Sequence, residues 1–239
     1  MVDIVDENIN VLYKLLQKQS DGFDTSNQQS QIVQKMISQG SENLLLDLLV
    51  NRRILKKEQP AYLDGIIFEA LGKSTNQYTI NKLNGYFCDG LIDLNSFLKL
   101  DYQPLQELLM NQNFKEADKL TQIQLCQLAG LDVNQRKWLY FTDISNVPAD
   151  DLFTVDMLWR LYSRGKFGFS VQRKIWLSNN CNWEKLWNGI GWKKEGMHCR
   201  YPDDFMWTIE APKGHLPLFN QLRGVQVLSA VFNHIAWTS

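Results

Sequence analysis

The stretch of residues 189–224 constrains the fold most, because it cannot form regular secondary structure over its whole length. It holds five glycines and three prolines and shows no convincing helical or strand period. Irregular stretches of this length are uncommon inside compact domains and are more often functional than idle. We therefore expect a long loop here, followed by a last helix over residues 225–235.

Apolar residues recur at helical spacing in most of the remaining chain, which predicts an all-α fold. Four short helices separated by turn-like clusters are predicted in the N-terminal part, with apolar positions within residues 9–16, 32–37, 44–50 and 63–71. Helix pairs of this length resemble the HEAT-like hairpins of a helical-repeat stack. Because no signature residues repeat, a small helical bundle is an equal alternative.

The composition changes near residue 97. Of the 28 aromatic residues, 8 lie in residues 1–100 and 20 in residues 101–239, and all eight Trp follow residue 137. We therefore predict an N-terminal helical bundle over residues 1–97 and an all-helical core with long loops over residues 98–239. In this second part the predicted helix N-caps are Asn113, Thr154, Ser170 and Asn182.

Helical spacing also assigns side chains of this second part to the core or to solvent. Trp138, Trp159 and Trp176 fall on periodic apolar faces and are predicted to be buried. The helix capped by Asn113 has a polar face that is predicted to be solvated, formed by Lys115, Asp118, Lys119, Gln122 and Gln124.

The charge balance argues against a nucleic-acid partner. Lys and Arg number 10 against 12 Asp and Glu before residue 101, and 15 against 14 after it. Nucleic-acid affinity comes largely from neutralised phosphates, which needs a local positive excess. Apolar runs fall well short of the ~20 residues of a membrane-spanning helix. Peripheral association of the long loop with a membrane stays open.

Residues that perform catalysis or hold metals are sparse. The three histidines match no nucleophile–base or zinc motif, and the four cysteines form no CxxC pair. His198 beside Cys199 lacks a second pair of ligands. Asp150 and Asp151 leave a hydrolase as a minor alternative, although adjacent carboxylates are more often helix caps. We predict no catalytic residue and no metal site.

Large apolar side chains crowd the irregular stretch and the segment before it. Aromatic side chains usually pack on regular elements, so their presence in loops indicates an apolar pocket for a large flat ligand. An Arg nearby could bind an acidic group of that ligand and stack on its rings. For each aromatic residue, pinning the loop to the helices beneath it is an equal alternative. The candidate contacts are Leu158, Phe167, Phe169, Trp192, Tyr201, Met206, Trp207, His215, Leu216, Phe219, Asn220 and Arg223.

Several strings within residues 100–239 resemble the Genomes-Uncoupled-Four family, whose members are porphyrin-binding accessory proteins of magnesium chelatase in oxygenic phototrophs. The longest are SRGKFGFSVQ at residues 163–172 and APKGHLP at residues 211–217, accompanied by Gly191-Trp192 and Tyr201-Pro202. The first 100 residues are similar to the helical N-terminal bundle of cyanobacterial and algal members.

The resemblance implies an all-helical core, shaped like a cupped hand, that holds protoporphyrin IX and magnesium-protoporphyrin IX without a tightly bound cofactor. Asn220 and Arg223 match polar ligand-contacting positions, and Asn220 could also approach the porphyrin-bound magnesium. Tyr201, Met206 and Trp207 match the apolar loop that closes over the ring. Gln226 departs from members that have a second basic residue at this position.

The resemblance further implies a non-catalytic activator of magnesium chelatase in chlorophyll biosynthesis, with the large porphyrin-binding subunit as its partner. The acidic N-terminus is unlike a secretory signal or a transit peptide, and Lys outnumbers Arg 17 to 8, as in AT-rich genomes. We therefore expect a plastid-encoded protein of the chloroplast stroma, or alternatively one of a cyanobacterial cytoplasm. The alternative function is a helical protein–protein scaffold whose aromatic region docks a partner helix instead of a pigment.

Overall fold

The computed structural model describes residues 10–12, 14, 23–92, 94, 96, 98–218 and 225–237. The chain divides into two compact units, Met1–Asp93 and Leu94–Ser239, close to the boundary predicted between residues 97 and 98. Helices dominate the described residues, which confirms the prediction of an all-α fold; one short hairpin is the departure from it. No helix in the described ranges has the length and apolar character needed to cross a membrane.

The first unit consists of short helices packed on one another. Among its described residues are α1 (Phe23–Ser38), α2 (Glu42–Val50), a π-helical turn (Asn51–Leu55), α3 (Tyr62–Gly72) and α4 (Gln77–Tyr86). Three of the predicted apolar segments lie on α1, α2 and α3. They bury residues such as Met36, Leu49 and Ile67 in a shared core. The predicted segment at residues 9–16 falls mostly outside the described residues.

A buried ion pair joins the π-helical turn to α3. The Nε of Arg52 lies 2.8 Å from Oδ1 of Asp64, whose side chain has no exposed surface. The other carboxylate oxygen of Asp64 accepts the backbone N–H of Ala61 at 2.8 Å, just before α3 begins. Asp64 therefore caps its own helix and compensates a buried guanidinium at the same time.

The second unit also consists mainly of helices. They are α5 (Gln103–Met110), α6 (Phe114–Leu128), α7 (Ala149–Tyr162), α8 (Phe169–Ser178), α9 (Trp183–Gly189) and α10 (Val225–Phe232). Two 3-10 turns, Ile144–Asn146 and Ile235–Trp237, precede α7 and follow α10. The helix predicted over residues 225–235 thus ends at Phe232, three residues early, and the 3-10 turn follows two residues later.

The predicted helix starts are partly wrong. Asn182 caps α9, since its side chain accepts the N–H of Lys185 at 3.0 Å. Asn113 precedes α6 but makes no side-chain cap bond. Thr154 is no cap: α7 begins at Ala149, because Pro148 holds an extended backbone before it. Ser170 lies inside the first turn of α8, where its N–H and hydroxyl donate to the Asp156 side chain instead.

Three buried polar bonds connect α7 to its neighbours. Asp151 accepts the Tyr102 hydroxyl at 2.6 Å, and the Trp159 indole N–H donates to the Thr121 hydroxyl at 3.0 Å. A third bond, also of 3.0 Å, runs from the Tyr162 hydroxyl to the side-chain oxygen of Gln106. These bonds satisfy polar groups that water does not reach.

The predicted Trp core is confirmed at two of its three positions. Trp159 is fully buried and stacks on Phe114, with ring centroids 6.1 Å apart. Trp176 is buried against Phe232, at 5.5 Å. Trp138 is not on a helical face, since it lies in the irregular segment after α6 and is only half-buried.

Candidate functional site

A short hairpin opens the predicted irregular stretch. Lys193–Lys194 (β1) pairs antiparallel with Met197–His198 (β2), and Glu195 and Gly196 make the turn with positive φ. Residues 199–218 contain turns and irregular backbone without a further helix or strand. We call residues 190–218 the aromatic loop. Strands of two residues leave no period in the sequence, which is why the hairpin was not predicted.

The two strings that resemble the Genomes-Uncoupled-Four family meet in space at the base of this loop. The backbone N–H of Gly214 donates to the Lys166 carbonyl at 2.7 Å, and that of Gly168 donates to the Leu216 carbonyl at 3.0 Å. The side-chain nitrogen of Gln172, on α8, donates to the carbonyls of Gly214 and Pro217 at 2.9 and 2.8 Å. Residues 163–172 therefore hold residues 211–217 through backbone groups and the Gln172 side chain.

Two glycines permit this close approach. Gly168 has φ +134 and Gly214 has φ +79, which are backbone angles that residues other than glycine rarely adopt. A Cβ at Gly168 would lie 2.8 Å from the Asp156 carboxylate, and one at Gly214 would lie 2.8 Å from the Ile175 side chain. Because both positions are strained and crowded for any other residue, the spacing of these glycines in the two strings has a steric reason.

His215 connects three parts of the aromatic loop. Its Nδ1 lies 2.6 Å from the Ile190 carbonyl, and its Nε2 lies 3.0 Å from the backbone nitrogen of Met206. A carbonyl can only accept and a backbone N–H can only donate, so the ring is neutral with its proton on Nδ1. Its own carbonyl accepts the Trp192 indole N–H at 2.7 Å. Burial lowers the pKa of His215 below its usual 6.5, helped by the nearby charge of Lys194.

Aromatic rings run from the buried end of the loop to its surface. Trp192 packs edge-on against Phe205 with centroids 6.5 Å apart, and Phe205 lies 6.3 Å from Trp207. Trp207 in turn contacts Tyr201, edge-on, at 5.9 Å. Trp192 and Phe205 are buried, Trp207 is half-buried and Tyr201 is 42% exposed. The outer rings therefore rest on a packed inner layer.

The outer end of this run is an apolar surface. Met206, which precedes Trp207 in the chain, is 40% exposed, and Met197 on β2 is 71% exposed. The indole N–H of Trp207 donates to the Pro202 carbonyl at 3.0 Å, which fixes the ring while its face stays partly open. We call Tyr201, Met206 and Trp207 the outer surface; all three are predicted ligand contacts.

Six other predicted contacts are buried: Leu158, Phe167, Phe169, Trp192, His215 and Leu216. Phe167, for example, packs edge-on against Phe114 at 5.2 Å, within the core around Trp159. A ligand could touch these side chains only by displacing their neighbours. In this conformation they belong to the packed interior, in line with the alternative that such side chains pin the loop to the helices beneath it. Phe219, Asn220 and Arg223 lie outside the described residues, while Gln226 is exposed on α10.

Asp118 lies near the outer surface and was not predicted as a site residue. It was expected on the solvated face of α6, but its side chain is 3% exposed and Gln124 of that face is also buried. Oδ1 of Asp118 accepts the Leu218 backbone N–H at 2.6 Å. Burial raises the pKa of Asp118 to about 8, against the opposing effect of that hydrogen bond. Burial also raises the pKa of Tyr201, and the charge of Asp118 adds to this.

The remaining candidates for chemistry have structural contacts. Asp151, the buried member of the Asp150–Asp151 pair, accepts the Tyr102 hydroxyl. The His198 ring packs on Trp187 at 4.8 Å, and the Cys199 thiol lies 3.5 Å from the Gly191 carbonyl. Among the described residues, no three His, Cys, Asp or Glu side chains converge to hold a metal ion.

Similar proteins come from red algae, a cyanobacterium and a plant. An uncharacterized protein ycf53 of Pyropia yezoensis is 47% identical over 212 residues, covering 88% of this chain and 90% of that protein. A Ycf53-like protein of Synechocystis is 42% identical over 202 residues, covering 84% and 86%. The Arabidopsis thaliana "Tetrapyrrole-binding protein, chloroplastic" is 36% identical over 147 residues, covering 58% and 56%. These relatives confirm the predicted plastid or cyanobacterial location.

Solved structures resemble this chain in sequence and fold over about three fifths of its length. GUN4 from Chlamydomonas reinhardtii matches with a TM-score of 0.57 and 39% identity, over 61% of this chain and 95% of that one. The ligand-free structure of Arabidopsis thaliana GUN4 matches with a TM-score of 0.53 and 35% identity, over 62% and 99%. A family model described as GUN4-like matches residues 95–235, more than half of the chain. The chain therefore belongs to the GUN4-like family, as its two long strings predicted.

Proposed function

We propose that this protein binds tetrapyrroles, namely protoporphyrin IX and magnesium-protoporphyrin IX, on the outer surface of the aromatic loop. The observation that carries the proposal is the run of rings from Trp192 to Tyr201, which ends in partly open apolar faces on a packed base. A porphyrin is a flat apolar plate with two carboxylates on one edge, so its faces suit such rings. The name of the Arabidopsis relative supports the same ligand class.

The polar part of the proposed site comes from Asn220 and Arg223, whose roles follow from the family resemblance. An Arg can bind a propionate through two parallel hydrogen bonds. An amide oxygen suits the porphyrin-bound magnesium, which prefers oxygen ligands. Residues 98–239 would then carry the ligand, and deletion of residues 1–97 should leave porphyrin binding largely intact.

We further propose that the protein acts without catalysis, as an activator of magnesium chelatase. Its partner would be the large porphyrin-binding subunit of the chelatase. The protein would deliver the porphyrin to this subunit or accept the porphyrin from it. Membership of the GUN4-like family supports this role.

Titration of the full chain with deuteroporphyrin IX tests ligand binding. We expect saturable quenching of Trp fluorescence together with a shift of the Soret band. Trp207→Ala removes a ring from the outer surface and is expected to weaken binding. Phe141→Ala, at an aromatic residue that is 52% exposed outside the aromatic loop, is the matched control and should bind like the wild type.

A second variant and an activity assay test the finer parts. Arg223→Ala should weaken deuteroporphyrin binding by about 1–3 kcal/mol, as for loss of a charge-assisted hydrogen bond. In an assay with magnesium chelatase subunits, the wild type should increase the rate of magnesium insertion and Trp207→Ala should do so less. No saturable change up to tens of micromolar deuteroporphyrin would contradict tetrapyrrole binding and favour the protein–protein scaffold.

A further inference from the structure

We propose that His215 is a positioning residue for the outer surface: its neutral ring holds residues 205–207 in place, and a second proton on that ring releases them and weakens ligand binding. The inference rests on the proposed tetrapyrrole function. It replaces the sequence-based expectation that the His215 side chain itself contacts the ligand, because that side chain is 1% exposed.

The hydrogen bonds of the ring are the first step of the argument. Nδ1–H donates to the Ile190 carbonyl at the end of α9, and Nε2 accepts the N–H of Met206. Met206 belongs to the outer surface and Trp207 follows it directly. One buried ring therefore links an end of a helix to the segment that bears two predicted ligand contacts.

Packing gives the second step. The Phe205 ring lies 5.6 Å from the imidazole and 6.3 Å from Trp207, so His215 also supports the outer surface through ring contacts. The backbone of His215 is itself fixed, since its carbonyl accepts the Trp192 indole N–H and its N–H donates to the Pro212 carbonyl at 3.0 Å. A well-held ring can determine where its partners lie.

Protonation is the third step. In the cation both ring nitrogens are donors, so Nε2–H would point at the Met206 N–H, and the bond between them would be lost. The field of Lys194 on β1 disfavours the cation as well. Other titratable groups on adjoining segments are Cys199, whose thiol lies 3.5 Å from the Gly191 carbonyl, and Asp204, whose carboxylate accepts the Arg200 N–H at 2.8 Å. Neither offers a hydrogen bond to the ring in place of Met206.

His234 provides a matched control inside the same unit. It is also buried, and both of its ring nitrogens bond to backbone: Nε2–H donates to the Val147 carbonyl at 3.0 Å, and Nδ1 accepts the Ala236 N–H at 3.1 Å. Its pKa is likewise lowered by burial. Its partners are not in the aromatic loop, so it shares the chemistry of His215 without the proposed role.

The experiment measures the Kd of the full chain for deuteroporphyrin IX between pH 5.5 and 8, with the wild type, His215→Gln, His215→Asn and His234→Gln. The amide of Gln reaches about as far as Nε2 and can accept the Met206 N–H, whereas that of Asn reaches only as far as Nδ1. His215→Asn should therefore bind about tenfold more weakly at pH 7.5, the loss expected for one buried hydrogen bond. His215→Gln should bind like the wild type at pH 7.5.

The pH profiles separate positioning from general stability. Wild type and His234→Gln should both lose affinity below pH 6.5, and His215→Gln should lose less, because its amide does not titrate. Superimposed profiles of wild type and His215→Gln would overturn the inference, as would an effect of His234→Gln equal to that of His215→Asn. If the wild type binds no deuteroporphyrin at pH 7.5, the proposed function fails and the inference falls with it.

A measurement on the wild type alone keeps the inference testable if the variants do not fold. Amide exchange of Met206, followed by NMR as a protection factor, should show protection at pH 7.5. That protection should fall over the pH range in which the His215 ring gains its second proton. A Met206 amide that stays protected through this range would overturn the inference.

Discussion

The carboxylate of Asp118, on α6, accepts a hydrogen bond of 2.6 Å from the backbone N–H of Leu218, one hundred residues later in the chain. Because this carboxyl is buried, its pKa lies at about 8, against 3.8 in the unfolded chain. Between pH 3.8 and about 8, Asp118 is therefore protonated in the folded state and ionised in the unfolded chain. Its contribution to stability is complete below pH 3.8 and is lost as the pH rises through about 8.

Asp118→Asn tests this relationship, since the amide oxygen can still accept the Leu218 N–H. Relative to the wild type, the variant should gain stability as the pH rises from 4 to 8, by up to about 1.4 kcal/mol per pH unit. Urea unfolding at several pH values measures it. Asp143→Asn is the control of opposite sign: its hydrogen bond to Arg136 lowers the pKa of Asp143, so this variant should lose stability above pH 4. A difference for Asp118→Asn that does not change with pH would contradict the assignment.

Gln172→Glu should destabilise the second unit by about 2–4 kcal/mol, because it replaces a buried donor by a carboxyl group facing two carbonyl oxygens. The two acceptors, on Gly214 and Pro217, would lose their shared partner. Chemical denaturation measures the loss. Gln122→Glu changes the same residue type at the surface, where the side chain bonds the Lys137 carbonyl, and should cost well under 1 kcal/mol. Equal losses for the two variants would be inconsistent with a special role of Gln172.

Gly168→Ala should cost about 2 kcal/mol or more, because the added Cβ would meet the Asp156 carboxylate at 2.8 Å in a strained backbone region. Thermal unfolding measures the change. Gly189→Ala is the matched control, since a Cβ at this helical glycine meets nothing within 4 Å and should be neutral or stabilising by about 0.5 kcal/mol. A neutral Gly168→Ala would show that the backbone relaxes there at little cost.

Asp64→Ala should destabilise the first unit by about 2–3 kcal/mol, because it removes the fully buried carboxylate that pairs with Arg52 and caps α3. The ion pair of Arg52 with the partly exposed Glu58 remains and limits the loss. Far-UV circular dichroism in increasing urea would show the first unit unfolding at lower denaturant. The control is Lys73→Ala, which removes an ion pair between an exposed lysine and the largely buried Glu69 side chain and should cost about 1 kcal/mol or less. A similar midpoint for both variants would argue against the buried pair.

Sequence periodicity found the helices whose apolar faces are long enough to repeat, such as α2 and α3. It missed α4, whose start depends on Asn76 accepting the Tyr78 N–H and whose apolar positions are few. It also misplaced the start of α7 at Thr154, because a hydroxyl inside a helix can bond back to the Asp150 carbonyl instead of capping.

The candidate site was predictable in part. Tyr201, Met206 and Trp207 stood out as apolar side chains in an irregular segment, and the structure leaves them partly exposed. The burial of Asp118 was not predictable, since its partner is a backbone N–H that sequence spacing cannot bring close. The same holds for His215, whose partners on Ile190 and Met206 are backbone atoms and leave no residue-specific pattern.

The three buried polar bonds of α7 also determine how its neighbours align. Sliding a neighbouring helix by one turn, about 5.4 Å, would separate donor from acceptor in a dry interior, at about 1–3 kcal/mol for each unpaired group. Apolar side chains alone would tolerate such slippage better. The hydroxyl, indole and amide groups of Tyr102, Trp159 and Gln106 therefore select a single register for these helices. We therefore expect α7 and its neighbouring helices to keep the same arrangement whether or not a ligand is bound.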